Sequence, residues 1–309
     1  MSAACPACGF ESAVEAGRVG EYRLLACAAC TLEFSDPMRA AGEDWYGGEG
    51  DYAEALGSEA AETLRHVYGD RLDTEGSEAV WLGPNHLAFL ARLPGRGGRL
   101  LDIGCGEGTF LAQAAPHYAS ADGIELDPRA AARAAALPGV RVRSARAEDL
   151  AAEAQAGSYD VVTLFEVLEH LEDPLGALGA CKRLLRPTGT LVLSVPHRLR
   201  PGADADPSDL PPNHLTRWTE QALRAALDRA GFAVTRLHAR KRSRYGFREA
   251  GWLLTSRFPG LLDRLGASGN VRRGLIVRRA SGALWLALWP WYALTGKPTY
   301  GLYAEARPL

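Results

Sequence analysis

Four cysteines form two pairs of identical spacing near the start of the chain. The pairs are Cys5-x-x-Cys8 and Cys27-x-x-Cys30, separated by a stretch short enough to form one hairpin. Such pairs place four soft thiolates around a tetrahedral ion, which is the ligand set that zinc prefers. A small unit without its own apolar core needs a bound metal ion of this kind to stabilise its fold. We therefore predict a structural zinc site in a ribbon over residues 1–35. The alternative is that these cysteines are only buried side chains.

A second group of residues could hold a cofactor through main-chain atoms. Three glycines follow a predicted strand and open a predicted helix, in the segment Asp102-Ile-Gly104-Cys105-Gly106-Glu-Gly108. Such a turn lets the backbone approach a ligand and points helix N–H groups at it. A dinucleotide fingerprint would need glycine where Thr109 stands, and the Gly-Lys-Ser/Thr of a phosphate-binding loop does not follow. Glu125 ends the next predicted strand and could accept hydrogen bonds from a ribose, so we expect a nucleoside cofactor without phosphates.

The elements that must position these residues alternate between strand and helix from Arg99 onward. The run from Tyr159 to Phe165 is continuously apolar, which is typical of a strand in a sheet covered on both faces. Strands separated by helices of this length imply βαβ units and a parallel sheet, so the fold class is α/β. Strands are predicted over 99–103, 120–125, 140–143, 159–165, 190–195, 232–237 and 300–306, and helices over 81–93, 109–117, 128–137, 174–185 and 219–230.

Four segments resemble the class I S-adenosylmethionine-dependent methyltransferases. They are residues 100–108, 123–128, 159–171 and 184–191, and the resemblance covers about residues 95–237 with the final strand. It implies a Rossmann-like seven-stranded sheet whose last strand is antiparallel. It also implies that the glycine loop holds the methionine part of S-adenosylmethionine and that Glu125 holds the ribose. By the same resemblance, Phe165 and Glu166 lie near the sulfonium. The cofactor-binding residues implied in this way are Asp102, Gly104, Cys105, Gly106, Gly108, Glu125, Leu126, Ala147, Glu148 and Phe165.

One position departs from the pattern of that family. After the third strand the family often carries an aspartate that contacts the adenine amine, and Arg146 stands at the matching position here. In one interpretation Glu148 takes over this contact. In the other, Glu148 and Asp149 are solvated residues at the start of a helix.

A cluster of acids and histidines resembles two narrower groups of methyltransferases. Glu166-x-x-Glu169-His170, followed later by His214, is similar to the small-RNA terminal 2′-O-methyltransferases and to the ubiquinone-pathway O-methyltransferases. The resemblance implies that these four residues bind Mg²⁺ or a similar ion, which would activate an acceptor hydroxyl. We expect the first three on one side of a helix. The alternatives are that His214 acts as a general base without metal and that His170 is only a packed side chain.

Charge is distributed unevenly along a chain whose net charge is only −2. Between residues 236 and 279, twelve Lys or Arg residues face two acids, and a tryptophan-rich apolar segment follows at 281–294. Basic residues beside tryptophans favour peripheral membrane contact through residues 272–294. The alternative is a helical cap over the acceptor pocket. Residues 1–10 lack the charged and apolar regions of a signal peptide, and no apolar run reaches about 18 residues. We therefore expect a cytoplasmic protein, with a membrane-peripheral location as the alternative.

Three domains are expected from these patterns: a zinc ribbon at 1–35, a helical lead-in at 36–94, and the methyltransferase domain at 95–309 with a helical insert at about 238–298. The leading function is methyl transfer to a small molecule such as a natural product, a sugar or a lipid-linked metabolite. Oxygen is favoured as the acceptor atom because Glu166, His170 and His214, the predicted catalytic residues, could take or weaken a hydroxyl proton.

Two other functions are weighed against this one. An RNA methyltransferase could use the basic stretch to track phosphates. The slightly negative net charge and the absence of an Asn/Asp-Pro-Pro-aromatic motif after the fourth strand count against it, so nucleic acid is not the expected partner. The third possibility is a non-catalytic binding module that keeps the fold. The sequence leaves the oligomeric state and the identity of the acceptor open.

Overall fold

The computed structural model describes residues 4–40, 84–92, 97–153, 157–200, 203, 209–239 and 301–309. Most of the expected lead-in at 36–94 lies outside these residues. The predicted insert lies outside them from residue 240 onward, together with the tryptophan-rich segment at 281–294. Among the described residues, no helix is long and apolar enough to cross a membrane.

A small antiparallel sheet contains the N-terminal ribbon. Its strands are β1 (Ala13–Val19), β2 (Tyr22–Cys27), β3 (Glu33–Asp36) and β9 (Thr216–Arg217), in that order across the sheet. The fourth strand comes from a distant part of the chain. It pairs Glu33 with Arg217 and Phe34 with Thr216. The ribbon is therefore joined by main-chain hydrogen bonds to a segment that follows the central strands of the larger sheet.

The larger sheet has seven strands in the order β10-β11-β8-β7-β4-β5-β6. β11 is antiparallel to both of its neighbours, whereas β8, β7, β4, β5 and β6 run parallel to one another. This confirms the predicted α/β methyltransferase sheet with an antiparallel last strand. The strands are β4 (Arg99–Ile103), β5 (Ser120–Glu125), β6 (Val140–Ser144), β7 (Tyr159–Phe165), β8 (Leu185–Pro196), β10 (Phe232–Ala239) and β11 (Gly301–Pro308).

Six α-helices are found among the described residues, and three of them begin with a side-chain cap. Asp127, Asp173 and Thr219 accept hydrogen bonds from main-chain N–H groups two or three residues further on. Such caps satisfy donors that the first turn of a helix leaves without partners. The helices are α1 (Pro84–Leu90), α2 (Thr109–Ala114), α3 (Pro128–Ala135), α4 (Ala147–Glu153), α5 (Pro174–Leu184) and α6 (Glu220–Arg229).

Several predicted boundaries differ from the structure, and two of the differences have a clear local cause. The helix predicted over 109–117 ends at Ala114 and continues as a 3₁₀ turn, Ala115–His117, because Pro116 lacks the N–H that an α-helix needs. The strand predicted to begin at 190 begins at Leu185, which pairs with Tyr159. A register shift between Tyr159 and Val161 absorbs the extra residues.

The ribbon and the larger sheet share one apolar core. Leu32 and Phe34 of the ribbon belong to the same buried cluster as Trp218, Leu223 and the central strands. All four of these side chains are almost fully buried, with at most 2% exposure. The ribbon is thus packed on the domain that carries the candidate site.

Candidate active site

The glycine loop turns sharply at the end of β4. Gly104 and Cys105 donate N–H hydrogen bonds to the carbonyl of Ile124, at 2.8 and 3.1 Å. Gly104, Gly106 and Gly108 have φ values of 68°, 54° and 77°, a backbone region that favours glycine. A Cβ atom at Gly106 would meet no atom within 4 Å, so this side of the loop is open to a ligand.

Glu125 braces this loop from the end of the neighbouring strand. Its carboxylate accepts N–H hydrogen bonds from Gly106 at 2.8 Å and from Asp127 at 3.0 Å. Leu126, the next residue, is an exposed apolar side chain. The predicted loop and the predicted ribose acid are therefore in direct contact. We call the loop 104–108 and Glu125 the cofactor edge.

Asp102 lies buried beneath the loop. The Thr163 hydroxyl donates a 2.6 Å hydrogen bond to its carboxylate. Burial raises the pKa of Asp102 to about 7, although the Thr163 hydrogen bond acts in the opposite direction. Burial likewise raises the pKa of the neighbouring Cys105 thiol, so Cys105 stays protonated and is not a nucleophile. Thr163 was not among the predicted site residues.

Phe165 lies in an aromatic cluster at the end of β7. Its ring centroid is 4.9 Å from that of Phe110 and 4.4 Å from that of His86. Burial lowers the pKa of His86 to about 4, which keeps the ring neutral. His86 was not among the predicted site residues, because nothing in its helical segment distinguishes it from a core residue.

The predicted adenine contacts lie at the start of α4. Ala147 is buried, whereas Arg146 and Glu148 are not. Glu148 is in the first turn of the helix with Asp149. Solvent-accessible residues here fit either interpretation of Glu148, so its assignment stays a prediction.

Glu166 does not lie on a helix with Glu169 and His170, contrary to the expected helical spacing. It forms a turn with a φ of 56°, which is unusual for a residue with a side chain, and only Leu168–His170 form a 3₁₀ turn. Its carboxylate accepts a 2.5 Å hydrogen bond from the Ser194 hydroxyl. Burial raises the pKa of Glu166 above its ordinary value. A strained backbone at a half-buried acid is a frequent mark of a functional position.

Three of the four predicted ligands of a divalent ion come together. One candidate ligand atom from each of Glu169, His170 and His214 lies within 4.8 Å of the others, and Glu166 is outside this group. Glu169 is 1% exposed, and neither carboxylate oxygen has a hydrogen-bond partner among the described residues. Burial and the charge of Glu166 raise its pKa well above the ordinary value. We call Glu169, His170 and His214 the acceptor edge.

Each histidine of the acceptor edge is oriented through its Nδ1 atom. His170 Nδ1 lies 2.7 Å from the carbonyl of Asn213, and His214 Nδ1 lies 2.9 Å from the carboxylate of Asp209. Both contacts fit a protonated Nδ1, which leaves Nε2 as the candidate ligand or proton acceptor. Burial lowers the pKa of His170 to about 3, so this ring is neutral, as a metal ligand must be.

The four N-terminal cysteines meet at one point. Cys5 Sγ is 3.6 Å from Cys30 Sγ, and Cys8 Sγ is 3.6 Å from Cys27 Sγ. A tetrahedral ion bound at roughly 2.3 Å would set its sulfur ligands about 3.8 Å apart, whereas a disulfide would bring them to about 2.0 Å. One sulfur from each of the four lies within 4.8 Å of the others. The donor set and its spacing fit a zinc ion.

The two cysteine pairs have the same main-chain pattern. The N–H of Cys5 donates to Phe10, and that of Cys27 donates to Leu32. The residues after each second cysteine, Gly9 and Thr31, have φ values of 76° and 64° and donate back to the carbonyl of the first cysteine. The same main-chain turn therefore holds each pair of sulfurs toward the other pair.

A model of the methyltransferase domain family matches residues 82–237, just over half of the chain. The chain belongs to this methyltransferase family. The matched stretch contains both the cofactor edge and the acceptor edge. The prediction of a class I S-adenosylmethionine-dependent methyltransferase is confirmed at the level of family and fold.

Curated relatives match a shorter stretch of the chain. A ubiquinone biosynthesis O-methyltransferase from Xanthomonas axonopodis pv. citri (strain 306) is 45% identical over 123 residues, which is 38% of this chain and 51% of that protein. One of the same name from Xanthomonas oryzae pv. oryzae (strain PXO99A) is 43% identical over 124 residues, with the same shares. The chain thus spans about half the length of the curated relatives it matches.

Solved structures share the fold over most of the chain. Phosphoethanolamine N-methyltransferase 2 from Haemonchus contortus has a TM-score of 0.53 at 17% identity, covering 90% of this chain and 62% of that one. The 4+2 cyclase SpnF has a TM-score of 0.52 at 18% identity, covering 87% of this chain and 97% of that one. Identities this low show a common fold alone. They do not indicate which acceptor this chain uses.

Proposed function

We propose that this chain transfers a methyl group from S-adenosylmethionine to a hydroxyl oxygen of a small molecule. The observation that carries the proposal is the buried acceptor edge, in which the Glu169 carboxylate has no hydrogen-bond partner among the described residues. A buried acid of this kind is costly unless a ligand completes it. The Xanthomonas relatives, which are named O-methyltransferases, support oxygen as the acceptor atom.

Glu169 and His170 of the acceptor edge come shortly after β7, the strand that lies next to β4 and its glycine loop. β4 and β7 are parallel neighbours with Ile103 opposite Leu164, so their loops leave the sheet side by side. A Cβ atom at Gly104 would lie 2.5 Å from Val167, and Glu169 follows two residues later. Ligands of open α/β sheets bind at such carboxyl ends of the strands. This arrangement supports a transfer that depends on holding both reactants side by side.

The cofactor edge is proposed to bind S-adenosylmethionine without phosphate contacts. Glu125 would accept hydrogen bonds from the ribose hydroxyls, because its two main-chain hydrogen bonds leave other lone pairs of the carboxylate available. The open side of Gly106 would receive the methionine part, and the exposed Leu126 would lie against the adenine. The remaining proposed contacts are Asp102, Gly104, Cys105, Gly108, Ala147, Glu148 and Phe165.

The acceptor edge is proposed to bind a divalent ion through Glu169, His170 and His214. Such an ion, when bound, would lower the pKa of an acceptor hydroxyl and orient its oxygen. The two Nδ1 contacts hold both rings in fixed orientations, which is how histidine ligands are ordinarily prepared. Glu166 would add negative charge beside this group rather than a ligand atom.

A metal-free alternative uses the same residues in another role. Asp209 would hold the Nδ1 proton of His214, so that Nε2 could accept the proton of the acceptor hydroxyl. Removal of divalent ions from the assay separates the two mechanisms. Retained turnover in a chelator that leaves the cysteine-bound zinc in place would favour His214 as the general base.

The function can be tested before the acceptor is identified. Isothermal titration with S-adenosylhomocysteine should show binding, and radiolabelled S-adenosylmethionine should transfer its methyl group to members of a panel of phenols, sugars and lipid-linked alcohols. Binding without transfer to any small hydroxyl compound, but with transfer to RNA, would overturn the small-molecule assignment. No binding at all would favour a non-catalytic module.

The N-terminal unit is proposed to hold a structural zinc ion through Cys5, Cys8, Cys27 and Cys30. Four thiolates leave no coordination position open, so the ion would stabilise the ribbon rather than take part in methyl transfer. We retain the division into a ribbon at 1–35, a lead-in at 36–94 and a methyltransferase domain at 95–309 as part of the same proposal. Zinc content measured by mass spectrometry tests the ribbon assignment directly.

A further inference from the structure

The ribbon reaches the acceptor edge through main-chain hydrogen bonds. Ser35 of β3 donates its N–H to the carbonyl of Leu215 at 2.9 Å. Leu215 in turn donates its N–H to the carbonyl of Glu169 at 2.8 Å. His214 immediately precedes Leu215, so two residues of the acceptor edge are tied to the ribbon by consecutive bonds.

A chain of buried charges runs alongside this main-chain path. Glu33 of β3 accepts hydrogen bonds from Arg217 and, at 3.0 Å, from Arg198. Arg217 Nε forms an ion pair with the carboxylate of Asp209 at 3.4 Å, and Arg200 donates a hydrogen bond to the same carboxylate at 2.8 Å. The other oxygen of Asp209 lies 2.9 Å from His214 Nδ1. Charges of alternating sign therefore connect the ribbon to the histidine.

Burial makes this chain of charges rigid. Glu33 is 5% exposed, Arg217 4% and Asp209 2%. A buried ion pair that loses one member leaves an uncompensated charge, which is strongly unfavourable, so the members hold one another in place.

We propose that Glu33 of the ribbon and Asp209 are positioning residues for His214. Glu33 fixes Arg217, and Arg217 with Arg200 fixes Asp209, which sets the ring orientation and the tautomer of His214. The inference rests on the proposed role of His214 at the acceptor edge. It makes the ribbon part of the acceptor site, because β3 begins three residues after the zinc ligand Cys30.

NMR spectroscopy reports the tautomer of His214 directly and needs no acceptor molecule. The full chain with its ribbon zinc, labelled with ¹⁵N-histidine, is studied by NMR without added divalent ions, at a pH where the rings are neutral. A His214→Gln spectrum assigns the resonance. In the natural protein His214 should show the Nδ1–H tautomer. In Glu33→Gln its ¹⁵N resonances should shift to the averaged position of exchanging tautomers.

Internal and matched controls separate positioning from general damage. His170, whose Nδ1 contacts a main-chain carbonyl, should keep its Nδ1–H tautomer in Glu33→Gln, although its ring lies 4.6 Å from that of His214 and its chemical shifts will respond to that ring. Glu15→Gln removes an exposed acid of the same ribbon that pairs with Arg18, and it should leave His214 unchanged. Unchanged His214 resonances in a folded Glu33→Gln protein would overturn the proposal.

A second variant keeps the test decisive if Glu33→Gln fails to fold. Arg217→Lys retains the buried charge but lacks the fork that bridges Glu33 and Asp209, so it should produce the same shift at His214. No shift in that folded variant would also overturn the proposal. Binding of S-adenosylhomocysteine reports separately on the proposed function, because it depends on the cofactor edge rather than on this chain of charges.

Discussion

The cofactor edge and the acceptor edge lie side by side but are built in different ways. The cofactor edge joins neighbouring strands, and its braces are main-chain N–H groups close in sequence, such as Gly106 to Glu125, 19 residues apart. The acceptor edge brings His214 to Glu169 and His170, and its support includes the Glu33–Arg217 pair, 184 residues apart. The first edge is a local motif, whereas the second exists only when the whole chain has folded.

The two edges also differ in electrostatic cost. The cofactor edge offers mainly main-chain donors around one carboxylate that has two hydrogen bonds. The acceptor edge contains the buried Glu169 and lies beside the half-buried Glu166, and desolvation raises the pKa of both carboxyls. Proteins rarely retain buried acids without partners unless they serve a ligand. The more costly edge is therefore the one that should define the reaction.

Removal of a proposed zinc ligand should have the largest effect, since structural zinc contributes on the order of 10 kcal/mol to the folding of small units. Cys30→Ser should lose bound zinc and methyl transfer together, while affinity for S-adenosylhomocysteine changes by less than about twofold because the path of hydrogen bonds from the ribbon leads to the acceptor edge. Elemental mass spectrometry measures the bound zinc, and calorimetry measures the affinity for S-adenosylhomocysteine. Ala29→Ser, exposed in the same knuckle, is the control. Full transfer by a zinc-free protein would break the link between ribbon and acceptor edge.

The contrast between the edges explains what the sequence could predict. The glycine loop, Glu125 and the paired cysteines are defined by residue types at short, fixed spacing, and the structure brings Gly106 to Glu125 and the four cysteines to one another. The sheet followed from the apolar strands and their separation by helices. Such features depend on neighbours along the chain.

Features that depend on tertiary contacts could not be predicted in this way. Asp209 lies in a loop of ordinary composition, and Glu33 resembles any acid at a strand end until Arg217 pairs with it. The turn at Glu166 replaces an expected helical residue because the chain must leave β7 sharply to place Val167 on Gly104. An acid five residues before a candidate histidine was the only available signal for Asp209.

Glu169→Gln should act on the acceptor edge alone. Replacement of a direct ligand should weaken Mn²⁺ binding by more than the roughly 10–100-fold that outer-sphere substitutions cost. Methyl transfer should fall in parallel, while affinity for S-adenosylhomocysteine is retained. Electron paramagnetic resonance of free Mn²⁺ measures the first effect. Glu172→Gln, a nearby exposed acid that accepts a bond from Ala40, is the matched control. Equal Mn²⁺ binding by both variants would exclude Glu169 as a ligand.

Glu125→Gln should give the opposite result. Loss of charged hydrogen bonds to a ribose, worth about 1.5–3 kcal/mol, should weaken S-adenosylhomocysteine binding by roughly 10–150-fold. Mn²⁺ binding should not change. Glu107 lies in the same loop and pairs with the exposed Arg133. The Glu107→Gln variant should therefore bind S-adenosylhomocysteine with an affinity near that of the natural protein. If Glu125→Gln reduced Mn²⁺ binding as well, the two edges would be one coupled unit.

The smallest effect concerns the buried acid beneath the cofactor edge. Thr163→Val removes the hydroxyl that donates to Asp102, whose pKa is about 7. Below that pH the carboxyl is protonated, so the loss should be near 1 kcal/mol of unfolding free energy. Above it the natural carboxyl ionises with its donor in place, whereas the variant's carboxyl must ionise without one. The cost should therefore grow with pH, toward about 2–3 kcal/mol at pH 8.

Denaturant unfolding at pH 5 and pH 8 measures this difference. Thr235→Val is the matched control, because its hydroxyl donates to the neutral main-chain carbonyl of Glu305, and its cost should not depend on pH. A cost that stays near 1 kcal/mol at both pH values would mean that the Asp102 carboxyl stays protonated. A cost of about 2–3 kcal/mol at both would mean that Asp102 is a permanent buried charge beneath the cofactor edge, and the electrostatic contrast between the two edges would be lost.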